Sequence, residues 1–307
     1  MASPLETFVS KRFPRSQVVP LSGTNNDVYL VTNDDRVVVV KLVTDRDIPL
    51  DYLAKVNQVI AQRLPTQGVR EVHLASDEHS IDVVVAEYID GVDLATTLNS
   101  DTESSFDRAA IPSFFVDLLE AMLLVPPLHP GFGLFKRSAQ TFVSHGQFIK
   151  HYALRYWNRV RPYFDDHVQR SVEQWINNGL TAATADDQPF GVVAIDANLK
   201  NFVVATDGSL VLLNVPIVGL SSIAHGVGAL SVNLRHHPER SLFLSEVASR
   251  LPETRLDLVQ HYELWNMLGV LSFYAKRHPD CPESWQNFGS PTPLCDDFVA
   301  HLKRNVC

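Results

Sequence analysis

The chain has little cysteine and no long hydrophobic run. Its 307 residues include three cysteines, Cys281, Cys295 and Cys307, an odd number without close Cys-x-x-Cys spacing. This pattern favours neither a zinc site nor the disulfide framework of a small secreted protein. No stretch approaches the roughly 20 apolar residues that cross a bilayer, and residues 1–20 lack the continuous apolar segment of a signal peptide. We therefore expect a cytoplasmic protein without a membrane span.

Positive charge is scarce relative to negative charge. The chain has 26 Lys and Arg residues against 35 Asp and Glu residues, a formal net charge of −9 at pH 7. Such a balance provides no basic surface that would release counterions from nucleic acid or attract an anionic membrane. We therefore expect no nucleic-acid partner and no membrane partner. The acidic balance suits a small-molecule substrate that carries positive charge.

Several common catalytic fingerprints are also missing, among them Gly-x-Ser-x-Gly, the P-loop lysine motif and the dinucleotide-binding glycines. The residues that are present, 45% hydrophobic and 20% charged, are typical of a globular protein with a substantial core. Runs of β-branched residues predict strands over 17–21, 28–31, 37–43, 69–75 and 81–88, with a helix over 49–64. Helical periodicity predicts helices over 111–124, 144–160, 168–177, 240–251 and 256–276.

The most informative stretch is residues 192–214, in which apolar runs are separated by a polar cluster and an Asp-Gly pair. Asp207-Gly208 between apolar segments is typical of a two-residue hairpin turn, whose central residues need positive φ. A turn centred there places Asn201 opposite Asn214, on one face at the open end of the hairpin and beside Asp196. This arrangement predicts that the open end of the hairpin forms one side of a ligand-binding site. The alternative is an ordinary hairpin with a solvated polar loop.

The spacing of Asp196 and Asn201, followed by a hairpin, resembles the catalytic loop of the aminoglycoside phosphotransferase and choline kinase family. In that family, which has a protein-kinase-like fold, the loop reads roughly His-Gly-Asp, four residues and Asn, and the hairpin ends in Ile-Asp. The resemblance implies that Asp196 accepts the proton of a substrate hydroxyl. It also implies that Asn201 and Asn214 hold a magnesium ion.

A second resemblance lies near the N-terminus, where Val28-Tyr29 follows a run of small polar residues, as in the family's Gly-Gly-x-x-Asn-x-Val-Tyr segment. It implies that the nucleotide phosphates contact Ser22, Gly23, Thr24 and Asn25. Lys41 ends a run of four valines, and a lysine within a buried strand is costly unless it has a partner. The resemblance implies that Lys41 binds the α- and β-phosphates of ATP, whereas an edge-strand lysine that reaches water is the alternative.

Residues 87–94 resemble the hinge of the same family, where backbone groups of the chain bind the adenine edge. The resemblance assigns this contact to Glu87 and Ile89. A plain linker between a strand and a helix is the alternative interpretation.

Four positions depart from the family pattern. Ala194-Ile195 replaces His-Gly, Asn57 stands where a helix normally supplies a Glu to the lysine, and Gly226 replaces the acidic residue that supports the catalytic loop. Asn214 stands at the position of the second metal-binding Asp. Because hard cations prefer carboxylates, this last change predicts weaker magnesium binding.

The order of these segments predicts an α+β protein with the bilobal kinase-like fold. We expect a nucleotide-binding lobe over 1–88, with a small antiparallel sheet and one helix, and a larger mainly helical lobe over 89–307. The function implied by the resemblance is ATP-dependent transfer of phosphate to a hydroxyl of a small molecule. Two alternatives stay open: a catalytically impaired relative that binds a ligand or partner, and an enzyme that uses Asp196 as a general base without phosphoryl transfer.

The sequence also predicts which tryptophans are buried and which histidines are exposed. Trp157, Trp175 and Trp265 lie at helical spacing with other apolar residues, which predicts core positions. The spacing of His145 and His151, six residues apart, does not suit one helix face, and we expect both on the surface. The basic turn at His236-His237 is also expected to be exposed.

Overall fold

The structure is a computed structural model with the two-lobe kinase-like fold predicted from the sequence: an antiparallel sheet comes first and a mostly helical part follows. It describes residues 4–21, 28–33, 36–43, 47, 49–75, 82–100, 106–183, 188–195, 197–213, 217–285 and 292–306. No helix within these ranges is long and apolar enough to cross a membrane.

The N-terminal lobe is built on a five-stranded antiparallel sheet of order β1-β2-β3-β5-β4. Its elements are α1 (Pro4–Arg12), β1 (Gln17–Leu21), β2 (Val28–Asn33), β3 (Arg36–Val43), α2 (Leu50–Ile60), β4 (Val69–His73) and β5 (Asp82–Glu87). Helix α1 adds a second helix to the one expected. Its sequence gives little signal, because only Leu5, Val9 and Phe13 of this short segment are buried against the sheet.

Strand β3 shows how the sheet orients Lys41. Val38, Val40 and Leu42 are buried in the cluster that includes α1. Because side chains alternate along a strand, Lys41 lies on the opposite face, away from α1. The valines of β3 therefore alternate between the two faces of the sheet. Lys41 lies on the face that α1 does not cover.

The C-terminal lobe is built around one large core, which continues onto Tyr52, Val56 and Ile60 of α2. Its elements up to the hairpin are β6 (Gly91–Asp93), α3 (Leu94–Asn99), α4 (Ala110–Leu123), β7 (Gly133–Leu134), α5 (His145–Val160), α6 (Asp166–Gln174), α7 (Leu180–Ala183), β8 (Phe190–Ala194), β9 (Phe202–Ala205) and β10 (Leu210–Leu212). The remaining elements are β11 (Val218–Ser222), α8 (Ile223–Ser231), α9 (Glu239–Arg250), α10 (Val259–Arg277) and α11 (Leu294–Val306). Trp157, Trp175 and Trp265 are buried in this core, as predicted.

The surface position expected for His145 is wrong. His145 is fully buried, and its Nε2 lies 2.9 Å from the Ser221 hydroxyl, which lies 2.8 Å from Nδ1 of His225. Burial lowers the pKa of His145 to about 4, so the imidazole is neutral at pH 7. The six-residue spacing from His151 was a poor guide, because the core-facing partner of His145 on helix α5 is Phe148, three residues away.

Candidate functional site

The β9–β10 hairpin has a three-residue loop instead of the predicted two-residue turn. Leu210 pairs with Val204, and the Ala205 N–H donates to the Ser209 carbonyl at 2.9 Å, which leaves Thr206–Gly208 as the loop. Gly208 has a φ of +83°, the left-handed conformation that ends a type I turn in a hairpin of this length. Asp207 explains the difference, because its Oδ1 accepts hydrogen bonds from the N–H and hydroxyl of Ser209.

The longer loop shifts the predicted register by one residue. The Leu213 N–H donates to the Asn201 carbonyl at 2.7 Å, so Asn201 lies opposite Leu213 rather than opposite Asn214. A shift of one residue places the side chains of a strand on the other face. The predicted pairing of Asn201 with Asn214 is therefore wrong, and Asn214 itself lies outside the described residues, as does Asp196.

The hairpin contacts the N-terminal lobe through the segment between α2 and β4. The Gln67 N–H donates to the Leu212 carbonyl at 2.8 Å, and the Leu212 N–H donates to the Pro65 carbonyl at 3.0 Å. On its other edge, β9 pairs with β6, where Gly91 lies opposite Ala205. These backbone bonds fix the β9–β10 hairpin both to β6, in the connection between the lobes, and to the segment that precedes β4.

Gln67 is the centre of this junction. Its Oε1 accepts a hydrogen bond from Nζ of Lys41 at 2.7 Å, and its Nε2 donates to the Glu87 carbonyl at 2.5 Å. Asn57 on α2 donates from Nδ2 to the Gln67 carbonyl at 3.2 Å. Gln67 is only 3% exposed, so these bonds satisfy an amide that would otherwise be costly to bury.

Lys41 therefore contacts a neutral amide at the point where an ion pair with the helix is typical of the fold. Asn57, at the expected helix position, reaches Lys41 only through Gln67. Burial lowers the pKa of Lys41 to about 8, because the charged ammonium is disfavoured away from water. A phosphate group placed beside this lysine would stabilise its protonated form.

The other residues predicted to contact a nucleotide lie in two places. Glu87 ends β5, and its carbonyl is joined to Lys41 through Gln67, while the half-buried Ile89 follows in the connection to β6. The predicted phosphate-binding residues lie outside the described residues: Ser22, Gly23, Thr24 and Asn25.

The loop after β8 explains why Ile195 can replace a glycine. Ile195 is buried, and its N–H donates to the Ile217 carbonyl at 2.7 Å. A Cβ at Gly219 on β11 would lie 2.4 Å from the Gly133 carbonyl oxygen and 2.7 Å from Cδ1 of Ile195, so this position has room for glycine beside both β7 and Ile195.

Gly226 stands where the family resemblance expects an acidic residue. A Cβ at Gly226 would lie 2.9 Å from Cβ of Val193, so helix α8 packs too closely on β8 for an acidic side chain there. Asn233 contacts the loop after β8, because its Nδ2 donates to the carbonyl of Ala197 at 3.2 Å. The sequence offered one signal for Asn233, a polar residue at the end of the apolar helix α8.

The available oxygen donors are a poor fit to magnesium. The predicted ligands Asn201 and Asn214 are both neutral amides, and the corrected register no longer pairs them. The described ranges contain no group of three His, Cys, Asp or Glu residues placed to hold a metal ion. Magnesium in proteins is normally bound through at least one carboxylate, which leaves Asp196 as the sole acidic residue of this loop.

Comparison with solved structures supports the fold. The chain superposes on the aminoglycoside phosphotransferase APH(4)-Ia with a TM-score of 0.69 at 17% identity, covering 100% of this chain and 98% of that one. It superposes on choline kinase LicA from Streptococcus pneumoniae with a TM-score of 0.63 at 16% identity, covering 98% of each chain. No protein-family model matches the sequence, and no curated protein matches it significantly. The similarity therefore confirms the kinase-like fold expected from the resemblance.

Proposed function

We propose that the chain binds ATP between its lobes and transfers phosphate to a hydroxyl group of a small molecule. The observation that carries this proposal is the junction at Gln67, which joins Lys41, the Glu87 carbonyl and the β9–β10 hairpin. The three parts that a nucleotide must contact in this fold are thus connected by direct hydrogen bonds. A thermostable APH(4)-Ia variant with this fold has been solved with AMP-PNP and hygromycin B together, which supports a site for both a nucleotide and an acceptor.

The proposed roles follow from the chemistry of each group. The lysine ammonium would bind phosphate oxygens and neutralise part of their charge, while the backbone of Glu87 and Ile89 would contact the adenine edge. Asp196 would accept the proton of the acceptor hydroxyl as the bond to phosphorus forms. Magnesium normally supplies further charge neutralisation in such reactions, and because the donor set here fits it poorly, we assign it no step.

A second candidate function is binding of a nucleotide without phosphate transfer. It is favoured by the neutral bond between Lys41 and Gln67 and by the close packing at Gly226, which removes an acidic support of the catalytic loop. A cleft that uses Asp196 for other base-catalysed chemistry is compatible with the same features. Nucleotide affinity and turnover must therefore be measured separately.

Calorimetry with ATP, with and without magnesium, tests nucleotide binding. The variant Lys41→Met should weaken ATP binding by at least about tenfold, the effect of one charged hydrogen bond. Lys55→Met is the matched control, because Lys55 is an exposed lysine on α2 and should not affect binding. Absence of ATP binding by the unaltered protein would refute the proposal.

Proton linkage provides a second readout for the same contact. Since burial holds the pKa of Lys41 near 8, phosphate oxygens beside it should raise that pKa and cause proton uptake on binding at pH 8.5. Titrations in buffers of different ionisation enthalpy measure this uptake, which Lys41→Met should abolish. Binding without proton uptake would place the phosphates away from Lys41.

Replacing Asn214 by Asp restores the carboxylate that the family resemblance expects, and it distinguishes phosphate transfer from nucleotide binding alone. In a weakened phosphotransferase, Asn214→Asp should strengthen magnesium-dependent ATP binding and raise any slow ATP hydrolysis. In a protein that binds nucleotide without transfer, this substitution should leave hydrolysis at background. A steady-state phosphate-release assay on both variants measures the difference.

A further inference from the structure

A cavity of about 320 Å³ among the C-terminal helices is lined by basic side chains alone. They come from the turn after α8, from α9 and from α11, far along the chain from Lys41 and Glu87. The lining residues are Arg235, His236, Arg240, His301 and Arg304. We call this space the basic cavity.

A buried carboxylate fixes the first pair of these side chains. Asp297 accepts a hydrogen bond from Nε of Arg235 at 2.7 Å and another from its Nη2, and it lies 3.3 Å from Nε2 of His236. The side chains of Arg235 and Asp297 are only 3% and 2% exposed. Burial alone would raise the pKa of Asp297, but the hydrogen bonds and charge of Arg235 outweigh it and lower the pKa, so Asp297 is ionised at pH 7.

A second buried carboxylate fixes the other pair in the same way. Glu263 accepts hydrogen bonds from Nε and Nη2 of Arg240 at 3.0 and 2.8 Å, and its Oε2 lies 3.0 Å from Nε2 of His301. The Ser231 hydroxyl donates to the same carboxylate. Burial acts to raise the pKa of Glu263, but the bond to His301 and the charge of Arg240 lower it overall.

Both carboxylates lie behind the wall of the basic cavity, so the wall itself is positive. Three guanidinium groups face two carboxylates, which leaves one net positive charge before either imidazole takes up a proton. The unbalanced charge belongs to Arg304, an exposed residue with no ion pair among the described residues. Cations gathered around one space repel each other, and an anion in that space would relieve the repulsion.

We propose that the basic cavity binds the phosphate group of a small molecule. A guanidinium group donates charge-assisted hydrogen bonds to phosphate oxygens, and Arg240, whose side chain is 30% exposed, is already oriented by Glu263. Arg235 donates to Asp297 and to the Val232 carbonyl, so it contributes positive charge to the wall. A tetrahedral phosphate offers more acceptor oxygens than a carboxylate does, which suits donors placed on several sides of one space. The volume is at the lower end of the range for small-molecule sites, enough for a phosphate and a few further atoms.

Calorimetry with inorganic phosphate, at ionic strength held constant with sodium chloride, tests this site. We expect saturable binding of one phosphate per chain and weaker binding of acetate. Arg304→Gln should reduce phosphate affinity about tenfold, as expected for one charged hydrogen bond, without unfolding the protein. Lys303→Gln is the matched control, because it removes the same charge one residue away on α11, where the exposed side chain does not line the cavity.

Three outcomes would overturn the proposal. They are an absence of saturable phosphate binding, tighter binding of acetate than of phosphate, and equal weakening by Arg304→Gln and Lys303→Gln, which would indicate general attraction to a basic surface. Lys41→Met should leave phosphate binding at the basic cavity unchanged. The result is therefore independent of whether ATP binds between the lobes.

Discussion

Around Gln67 the buried hydrogen bonds are accepted by neutral amide and carbonyl oxygens, whereas around Asp297 and Glu263 they are accepted by ionised carboxylates. The first group joins the two lobes, where Asn57 stands at the helix position from which the family resemblance expects a Glu partner for Lys41. The second group joins the C-terminal helices, where each carboxylate holds one arginine and one histidine. The lobe junction should therefore tolerate acid, because the pKa of Lys41 is about 8 and its charge does not change below neutral pH, whereas the helical cluster should not tolerate acid.

The largest effect is expected from Asp297→Asn. Removing one partner of a buried ion pair leaves the charge of Arg235 uncompensated, which costs about 3–5 kcal/mol in the free energy of unfolding. Urea denaturation measures the loss. Asp296→Asn removes an exposed carboxylate one residue earlier and should change stability little. Equal effects of the two substitutions would show that the helical cluster does not depend on its buried charge.

Acid should destabilise the helical lobe in two steps. The folded pKa of His145 is about 4 and lies below its ordinary value of 6.5, so unfolded chains bind more protons and stability falls as pH falls from 6.5 to 4. This step is on the order of 3 kcal/mol. Asp297 and Glu263 have lowered pKa values, so their contribution is present above about pH 4 and is lost as pH falls through the folded values. His145→Gln should reduce the first step in urea titrations at successive pH values, and the part that persists should come from the buried His225, whose pKa is also lowered by burial.

A smaller effect is expected at the lobe junction. Gln67→Ala leaves the Glu87 carbonyl without its side-chain donor and removes one acceptor from Lys41, which costs roughly 1–3 kcal/mol, the penalty for breaking buried hydrogen bonds. The cost should be the same at pH 5 and pH 7, because no carboxylate or imidazole is lost. Gln62→Ala, an exposed glutamine in the turn after α2, is the control. A strong pH dependence of the difference would contradict the contrast between the two regions.

The sequence predicted most of the fold because its signals were local. The valine runs of β3 and β5, the periodicity of α4 and α5 and the tryptophan positions all reflect burial on one face or in one core, and the structure agrees with them. Helix α1 was missed, because three apolar residues in nine give weak periodicity. The resemblance at Asp196 and Asn201 supplied the two-lobe arrangement that local patterns alone do not determine.

The polar contacts were less predictable because they join distant segments. Gln67 lies in an unremarkable turn, and nothing near it in the sequence indicates that it reaches Lys41 and Glu87. Asp297 and Arg235 are 62 residues apart, and each looks like an ordinary surface charge. His236 is exposed, as expected, but its contact with Asp297, 61 residues along the chain, had no local signal either.

The hairpin below the lobe junction gives the smallest and most local prediction. Its register depends on Gly208, whose φ of +83° closes the three-residue loop, and a Cβ there would meet no atom within 4 Å. Gly208→Ala should therefore cost only the backbone strain of a left-handed residue, about 1 kcal/mol, with no steric contribution. Gly208→Asn should cost less, because asparagine adopts this conformation more readily.

Gly91→Ala is the contrasting substitution on the neighbouring strand. A Cβ at Gly91 would lie 2.3 Å from the Val204 carbonyl oxygen, so this change should force β6 away from β9 and cost clearly more than Gly208→Ala. Urea denaturation of the three variants measures these differences. If Gly208→Ala were as costly as Gly91→Ala, the loop would be held by side-chain contacts, and the one-residue register shift could not be attributed to the turn.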